Sequence, residues 1–466
     1  MSAPIIWIII PFGLALILLI LPWQKWAAYL GTFISLFLAG LAYWLPPDSP
    51  QKLGSISLKI DPTLTLLGRT ISLTNAQQII LIFVYGIGAF WFFGTIALEN
   101  AKKIAPFGLI IISMLVASMA VQPFLYAAFF IEMAVLLAVP MLAESGKKPG
   151  KGLLRFLIYQ SLAMPFILLA GFLLTGVEAG PADIALISQS AFLLGLGFAF
   201  LLSIFPLYTW IPMLMQENQP YSVGFILTLF PTFNLVFGLN FIDRFSWLRD
   251  SNSLHEILLN LGLLMVITSG IWAAFQRHIG RIFGYAVVLE TGVSLLALSL
   301  PDTSAGLRIA FYLFIPHAII FAVWTQSMSI LKNSASELTF IQIRGLARQF
   351  PIASIGVVLS NLTLAGMPLF ALFPIRQALW EKLAAQPTPA AMWFGLANLG
   401  LWTAALRSLA VLSQAPEGTP WKINETWIQR ILISIGILTI LAQGIYPQWA
   451  EPFLNKLPLF FEHLGK

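Results

Sequence analysis

Five ionisable side chains lie inside long apolar runs. Glu132 sits in FFIEMAVLLAVPML, Glu290 in GYAVVLETGVSLLAL, His317 in FYLFIPHAIIFAV and Arg376 in MPLFALFPIRQALW, while Arg407 falls in a further apolar stretch. If those runs lie in a bilayer, each charge costs about 2.5–3.5 kcal/mol on insertion scales, so each needs a partner or a task. The task this set suggests is proton transfer. Protons cross membranes by hopping between titratable groups and trapped water. A buried carboxylate can hold and release a proton, an adjacent Arg favours its ionised form, and His titrates close to neutral pH. The plainer alternative is a buried polar residue satisfied by one partner, or an ion pair that pins two helices. Glu132 has no partner near it in sequence, which favours a task. His317 follows Pro316 and could simply donate to a freed carbonyl. Arg376 could be the structural partner of Glu132 or Glu290, and Arg407, near a helix end, can snorkel.

The elements that position these groups follow from composition. Apolar residues make up 59% of the chain and charged residues 9%, against about 45–50% and 25% in soluble domains. So apolar a surface faces lipid, and the chain reads as an all-α integral membrane protein. A spanning helix needs about 20 mostly apolar residues. Candidate spans begin near Pro4, Trp26, Ala76, Ala105, Phe124, Gly152, Asp183, Tyr221, Leu254, His278, Leu307, Pro351, Pro389 and Ile428, about fourteen in all. The first, Ile5 to Leu21, has spanning length and no basic residues before it, so it is expected to be a transmembrane helix rather than a cleaved signal peptide. The stretch from Pro351 to Lys382 is too long for one straight helix, and Pro368 and Pro374 interrupt it. Pro206, Pro212 and Pro231 suggest similar breaks in the seventh and eighth spans. Broken backbone inside a membrane must be buried in protein or line a wet cavity. The polar stretch from Pro46 to Gln77 alternates at Ile56, Leu58, Ile60, Leu64 and Leu66, enough for a short hairpin.

Several function classes are excluded. There is no cysteine, hence no disulfide or thiolate chemistry. The four histidines (His255, His278, His317 and His463) lie on separate segments without the spacing of a helical zinc site. No metal and no cofactor is expected, and no redox or catalytic centre. The net charge of +6 comes from basic residues in short loops, not interleaved with aromatics, so nucleic acid is not a partner. One side would hold Lys25, Lys102, Lys103, Lys147, Lys148, Lys151, Arg155, Arg277, Arg281, Lys332, Arg344, Arg348, Lys422 and Arg430. The other would hold the smaller set Lys52, Lys59, Arg69, Arg244, Arg249, Arg308, Lys382, Lys456 and Lys466. The positive-inside rule places the larger set in the cytoplasm and both termini on the non-cytoplasmic side.

Three stretches together resemble the antiporter-like membrane subunits of respiratory complex I and of Mrp-type cation/proton antiporters. GLGFAFLLSIFPLYTWIPMLMQENQP, from Gly195 to Pro220, is similar to the family's seventh-helix segment, in which a lysine precedes a Pro-Phe-His-x-Trp-x-Pro run. RHIGRIFGYAVVLETGVSLLAL, from Arg277 to Leu298, is similar to its Lys-Arg-x-x-Ala-Tyr-Ser-Ser segment. IRGLARQFPIASIGVVLSNLTLAGMPLFALF, from Ile343 to Phe373, resembles its Leu-Arg-Gly-Leu-x-Arg-x-x-Pro loop and broken twelfth helix, and His317–Ala318 match its His-Ala pair. The resemblance implies fourteen helices, two inverted five-helix repeats and discontinuous seventh and twelfth helices. The chain would then divide into 1–104, a first repeat 105–245, a second repeat 254–413 and a C-terminal part 414–466.

The departures are as informative. Glu132 matches the glutamate of helix five, but the lysine it faces in the family is Leu201 here. The helix-eleven lysine position is Phe321. The histidine of helix ten is Glu290, and Arg376 falls next to the basic position of helix twelve. Asn234 and Asn240 are the polar residues near the expected central lysine. The resemblance thus implies a proton- or cation-translocating membrane subunit of a complex-I-like oxidoreductase assembly, impaired where the relay lysines are replaced. Its relay would comprise Glu132, Glu290, His317 and Arg376. Its partners would be other membrane subunits in a bacterial plasma or other energy-transducing membrane. A non-conducting scaffold subunit and a stand-alone secondary transporter of a small solute remain open. The transporter predicts a wide midplane cavity near Pro206, Pro231 and Pro368.

Overall fold

The computed structural model describes residues 2–464 apart from 21–25, 49–50, 54–55, 59, 67, 99–102, 145, 147, 180–183, 388 and 415–420. Lys25, Lys59, Lys102, Lys147, Lys466 and Asp183 lie outside the described residues. Chain order begins with α1 (Ile10–Ile20, led in by a π-helical turn Ile5–Ile9), α2 (Ala27–Trp44), α3 (Gln78–Gly94), α4 (Ile104–Ala120), α5 (Ala127–Leu142) and α6 (Lys151–Ala179). It continues with α7 (Ile184–Leu201), α8 (Trp210–Glu217), α9 (Pro220–Arg244), α10 (Ser246–Arg249), α11 (Asn252–Phe275), α12 (Ile279–Leu298) and α13 (Thr303–Tyr312). Last come α14 (Phe314–Lys332), α15 (Pro351–Leu364), α16 (Phe373–Ala384), α17 (Ala390–Ser413), α18 (Trp427–Ile445) and α19 (Glu451–Leu454). Among the described residues, 11 helices are long and apolar enough to cross a membrane, with α13 and α14 counting as one length, Thr303–Lys332. Three shorter apolar helices, Ile5–Ile20, Ile104–Ala120 and Pro351–Leu364, accompany them.

Burial sorts these helices into a centre and a rim. α9, α12 and α14 are buried along most of their length, whereas most residues of α7 and α18 are half-buried or exposed. The exposed residues of the rim are large and apolar, among them Phe33, Phe172, Phe192, Phe275 and Leu438, as lipid contact requires. The central helices carry the buried polar groups, Asn234 on α9, Glu290 on α12 and Gln326 on α14. Small residues let helices close up. α11 and α17 cross backbone to backbone at Gly270 and Gly400, where a Cβ on either would run into the other's main chain.

Two spans are interrupted by non-helical stretches of several residues. α7 ends at Leu201 and the chain turns through Ser203 (φ 52°) and Pro206 before α8 resumes at Trp210. The carbonyls freed at that end are capped from neighbours. Gln160 on α6 donates to Phe200 O (3.1 Å) and Leu201 O (3.3 Å), and Asn234 on α9 donates to Leu201 O (2.9 Å). The second interruption lies between Leu364 and Phe373 and contains Pro368, with Gly366 (φ +77°) and Leu369 (φ 72°) turning the chain. Trp402 on α17 caps Ala365 O there at 3.0 Å. The break expected at Pro231 is absent: α9 runs unbroken from Pro220 to Arg244 through it. Pro212 does not break its helix either, because it falls in the first turn of α8, where its missing N–H has no intrahelical partner to lose.

In the long loop two hairpins form instead of one. β1 (Gln51–Leu53) pairs with β2 (Ile56–Leu58), and β3 (Thr63–Leu66) with β4 (Arg69–Ser72), which β5 (Val121–Gln122) joins on its other edge. At the far end of the chain, Asp243 at the foot of α9 accepts the backbone amides of Glu462 (3.0 Å), His463 (2.7 Å) and Leu464 (2.8 Å).

Several helix starts are capped by charged or polar side chains. Glu217 accepts Gly152 N at 2.7 Å at the start of α6, and Glu425 accepts Ala353 N at 2.8 Å at the start of α15. His278 precedes α12 and accepts Arg281 N on Nδ1 at 3.4 Å. Burial, reinforced by the charges of Arg281 and Lys332, pushes its pKa down from 6.5 to about 4. The folded protein therefore resists protonating it. The resulting stability is fully present above pH 6.5 and is lost as pH falls towards 4, about 3 kcal/mol in all. Thermal unfolding between pH 7 and pH 4.5 is expected to show a steep fall in Tm that His278→Asn, which keeps a capping acceptor, flattens. An unchanged slope in that variant would count against this reading.

Candidate functional site

Glu290 stands in the middle of α12 and is almost fully buried. Each carboxylate oxygen has a different partner. Arg376 donates through a terminal nitrogen to Oε1, and His317 Nε2 lies 2.8 Å from Oε2. The three groups come from three helices, α12, α14 and α16, so no sequence spacing relates them. Arg376 is held in turn from α17. Its other terminal nitrogen donates to Asn398 Oδ1 at 2.8 Å, Asn398 Nδ2 donates to Phe394 O at 2.9 Å, and the guanidinium lies 5.7 Å from the Phe394 ring centre. The His317 ring stacks almost parallel on Phe321, 5.4 Å between centres and 8° between planes. Phe321, at the position of an expected relay lysine, therefore orients the histidine and carries no charge.

The second interruption brings Arg376 to this place. The non-helical stretch from Ala365 to Leu372 lets α16 start inside the protein, with Arg376 in its first turn. Gly366 takes a left-handed conformation that L side chains rarely adopt, and a Cβ there would lie 2.8 Å from Arg376 Cδ. Gly366→Ala is expected to cost about 1–3 kcal/mol in backbone strain alone and to displace the guanidinium. Melting of the purified protein, compared with that of a Leu359→Ala control on the preceding helix, measures it. A Tm equal to the native value would contradict this role.

Beside the histidine lies a small cavity between α9, α12 and α14, lined by Thr228, Pro231, Thr232, Glu290, Thr291, Ser294, His317 and Phe321 among others. It offers ≈ 30 Å³ to water, room for about two molecules. It is much too small for an organic solute, and it is not the wide cavity a solute transporter predicts.

Glu132 is elsewhere. On α5, it accepts a hydrogen bond from Ser161 Oγ at 2.7 Å on Oε1, and its buried Oε2 has no partner among the described residues. Gln160, Ile131 and the buried Leu201 surround it, and the gap between them has no room for water. It makes no hydrogen bond or ion pair with Glu290, His317 or Arg376. Arg407 donates to Ala274 O and lies over the Phe340 ring at 5.3 Å, a structural placement. The structure thus joins three of the four expected relay residues and leaves Glu132 apart, with Leu201 between it and the first break. Asn398 was not anticipated, although a lone Asn in the apolar run AAMWFGLANLGLW was a signal. Gln160 and Asn234, which cap the break at Leu201, were legible only as polar residues in apolar runs.

Comparison with known proteins agrees with this architecture. The family described as NADH:quinone oxidoreductase/Mrp antiporter, TM matches residues 157–401. The match covers more than half of the chain, and the protein belongs to that family. It is 26% identical over 338 residues to NADH-quinone oxidoreductase subunit 14 of Thermus thermophilus, spanning 68% of this chain and 73% of the relative. To NADH-quinone oxidoreductase subunit N of Sulfurimonas denitrificans it is 23% identical over 209 residues, a match that spans 40% of that relative's length. Among solved structures, a chain of the archaeal membrane-bound sulfane sulfur reductase superposes with a TM-score of 0.80 at 15% identity, covering 99% of this chain and 98% of that one. A chain of the Mrp complex from Dietzia superposes with a TM-score of 0.79 at 12% identity, covering 98% and 96%. At such identities these structures show a shared fold. The protein is an all-α integral membrane protein, an antiporter-like membrane subunit of the complex I and Mrp class.

Proposed function

We propose that this subunit moves protons in a complex-I-like membrane assembly, and that its relay is the Glu290–His317–Arg376 group in the second half of the chain, 254–413. The observation that carries the proposal is a single buried carboxylate shared between a fixed cation and a titratable imidazole beside a cavity with room for water. When His317 takes up a proton, it becomes a second cation on the same carboxylate. The incoming proton takes Nδ1, because Nε2 already carries the hydrogen that bridges to the ionised Oε2, and the two cations then share Glu290. When the proton leaves, Arg376 again holds the charge of Glu290. Asn398 keeps the guanidinium within reach through the cycle. The driving force comes from neighbouring membrane subunits.

Glu132 is a separate ion-binding carboxylate in the first half, 105–245. With Leu201 beside it and no space for water, it does not exchange protons with the second half. That isolation also favours the second reading, a subunit retained for its lateral packing and conducting nothing. The parent assembly lies in a bacterial plasma or similar energy-transducing membrane, with both chain termini on the non-cytoplasmic side and Arg344 and Arg348 in a cytoplasmic loop. The test is proton uptake by vesicles carrying the assembled complex. Glu290→Gln is expected to remove the share of uptake that depends on this subunit. Native uptake in that variant would leave the scaffold reading.

A further inference from the structure

The segment before α18 carries cations that the relay does not use. Trp421–Thr426 has no helix of its own and is fixed to the start of α15. Asn424 N donates to Gln349 O at 2.9 Å and Asn424 Nδ2 to Gln349 Oε1 at 3.2 Å, and a capping box at Thr426 and Gln429 then starts α18. Glu425, the single acid between Trp421 and Arg430, is buried and turned inward onto Ala353 N. What the segment shows outward is aromatic and basic. Trp421 is 77% exposed and Trp427 72%. The Arg348 guanidinium lies over the Trp421 ring at 5.6 Å, and that of Arg430 over the Trp427 ring at 5.2 Å. Glu425 O pins Arg430 by accepting from Nε (3.3 Å) and Nη2 (3.1 Å), which leaves Nη1 for another acceptor. Lys422 is exposed, and neither it nor Arg430 forms an ion pair with a described residue.

Below these cations α18 presents an apolar stripe. Ile428, Ile431, Ile435 and Leu438 recur at three- and four-residue spacing and are all exposed. Tyr446 and Trp449, also exposed, close the far end. Aromatic residues thus bound both ends of a helix of 19 residues, about 28 Å long, as on a face that meets lipid across a bilayer. An apolar partner helix would fill the stripe and leave the cations at its end without an anion. A phospholipid supplies acyl chains for the stripe and a phosphate for the cations, and two cations favour a headgroup of net negative charge. We propose that Arg430 binds the phosphate of an anionic phospholipid whose acyl chains lie along α18 from Ile428 to Leu438, with Lys422 on the same segment adding attraction. Stacking on Trp427 and the bonds to Glu425 O hold the guanidinium in position before the lipid arrives. The site is independent of the Glu290 group and of any movement of protons.

The experiment uses the complete assembly in bilayers of phosphatidylcholine with a minor share of phosphatidylglycerol. Phosphatidylglycerol with a photoactivatable group in its acyl chain is expected to label the peptide containing Trp427 to Leu438, and phosphatidylcholine with the same group to label it far less. Arg430→Gln is expected to cut the phosphatidylglycerol label about fivefold, and Lys422→Gln with Arg430→Gln about thirtyfold. Arg430→Lys, which keeps the charge, retains most of it. Inorganic phosphate in the buffer is expected to leave the label unchanged. Equal labelling by the two lipids, or a phosphatidylglycerol label that both glutamine variants leave intact, would overturn the headgroup site. Displacement of the label by inorganic phosphate would also overturn it and assign the cations to a free anion. A peptide labelled by neither lipid and crosslinked instead to another subunit would show that protein covers α18, against the proposal.

Discussion

Glu290→Gln is expected to slow proton uptake through this subunit by about 10²–10⁴-fold, the usual worth of a positioned acid–base group, while Glu132→Gln leaves it near the native rate. The contrast follows from the surroundings of the two carboxylates. Glu290 touches a titratable imidazole and sits beside space for water. Glu132 touches a serine hydroxyl and amide and apolar groups, with no such space. Glutamine preserves the shape of either side chain but cannot take up or release a proton, so each exchange tests transfer rather than packing. Uptake measured with a pH-sensitive dye in vesicles, normalised to assembled complex, separates the two. Equal losses in both variants would mean that the two carboxylates are connected by a path through the region of Leu201.

Arg376→Ala is expected to be the most destabilising single change in the second half. It removes one partner of a buried ion pair and leaves Glu290 charged and only half compensated, an imbalance that costs about 3–5 kcal/mol in comparable buried pairs. It also strands Asn398, whose Oδ1 loses its donor. The double variant Arg376→Ala with Glu290→Gln has no orphaned charge and is expected to recover most of the loss, a strong non-additivity of the kind contacting groups show. Thermal unfolding of the purified protein, together with its yield in assembled complex, provides the readout. A double variant no more stable than Arg376→Ala alone would show that the arginine matters for packing and not for pairing.

Much of this architecture was legible in the chain, because the bilayer imposes a coarse rule. Apolar runs of spanning length marked the helices, and a charge inside such a run marked a site, which is how Glu290, His317 and Arg376 stood out. Their union did not show, since the three helices that meet there are joined by nothing local. Arg376 had two candidate partners in sequence, and only the packing chose Glu290. The prolines divide in the same way. Near Pro206 and Pro368 the chain leaves the helix, and non-glycine residues, Ser203 and Leu369, take positive φ, a departure no residue type announces. At Pro231 the helix continues, since α9 is enclosed by protein on most sides and the missing bond is tolerated where packing holds the backbone. A proline in a sequence states which donor is absent; the surroundings decide whether the axis bends. The hairpin region was legible in part. Alternation from Ile56 to Leu66 fits strands, but the pairing partners lie at Gln51–Leu53 and Arg69–Ser72, outside the alternating stretch.

The grip of Asp243 on three successive amides ties the final residues of the described chain to the base of the first half's last helix. Phe461, a residue upstream of that grip, stacks on Phe311 of α13. The tail is therefore a short link between α9 and α13. If α9 swings at its base, the link carries the motion to the helix that leads directly into α14 and its histidine. α9 also packs directly on α14, so the tail adds a peripheral connection to the one at the centre of the protein.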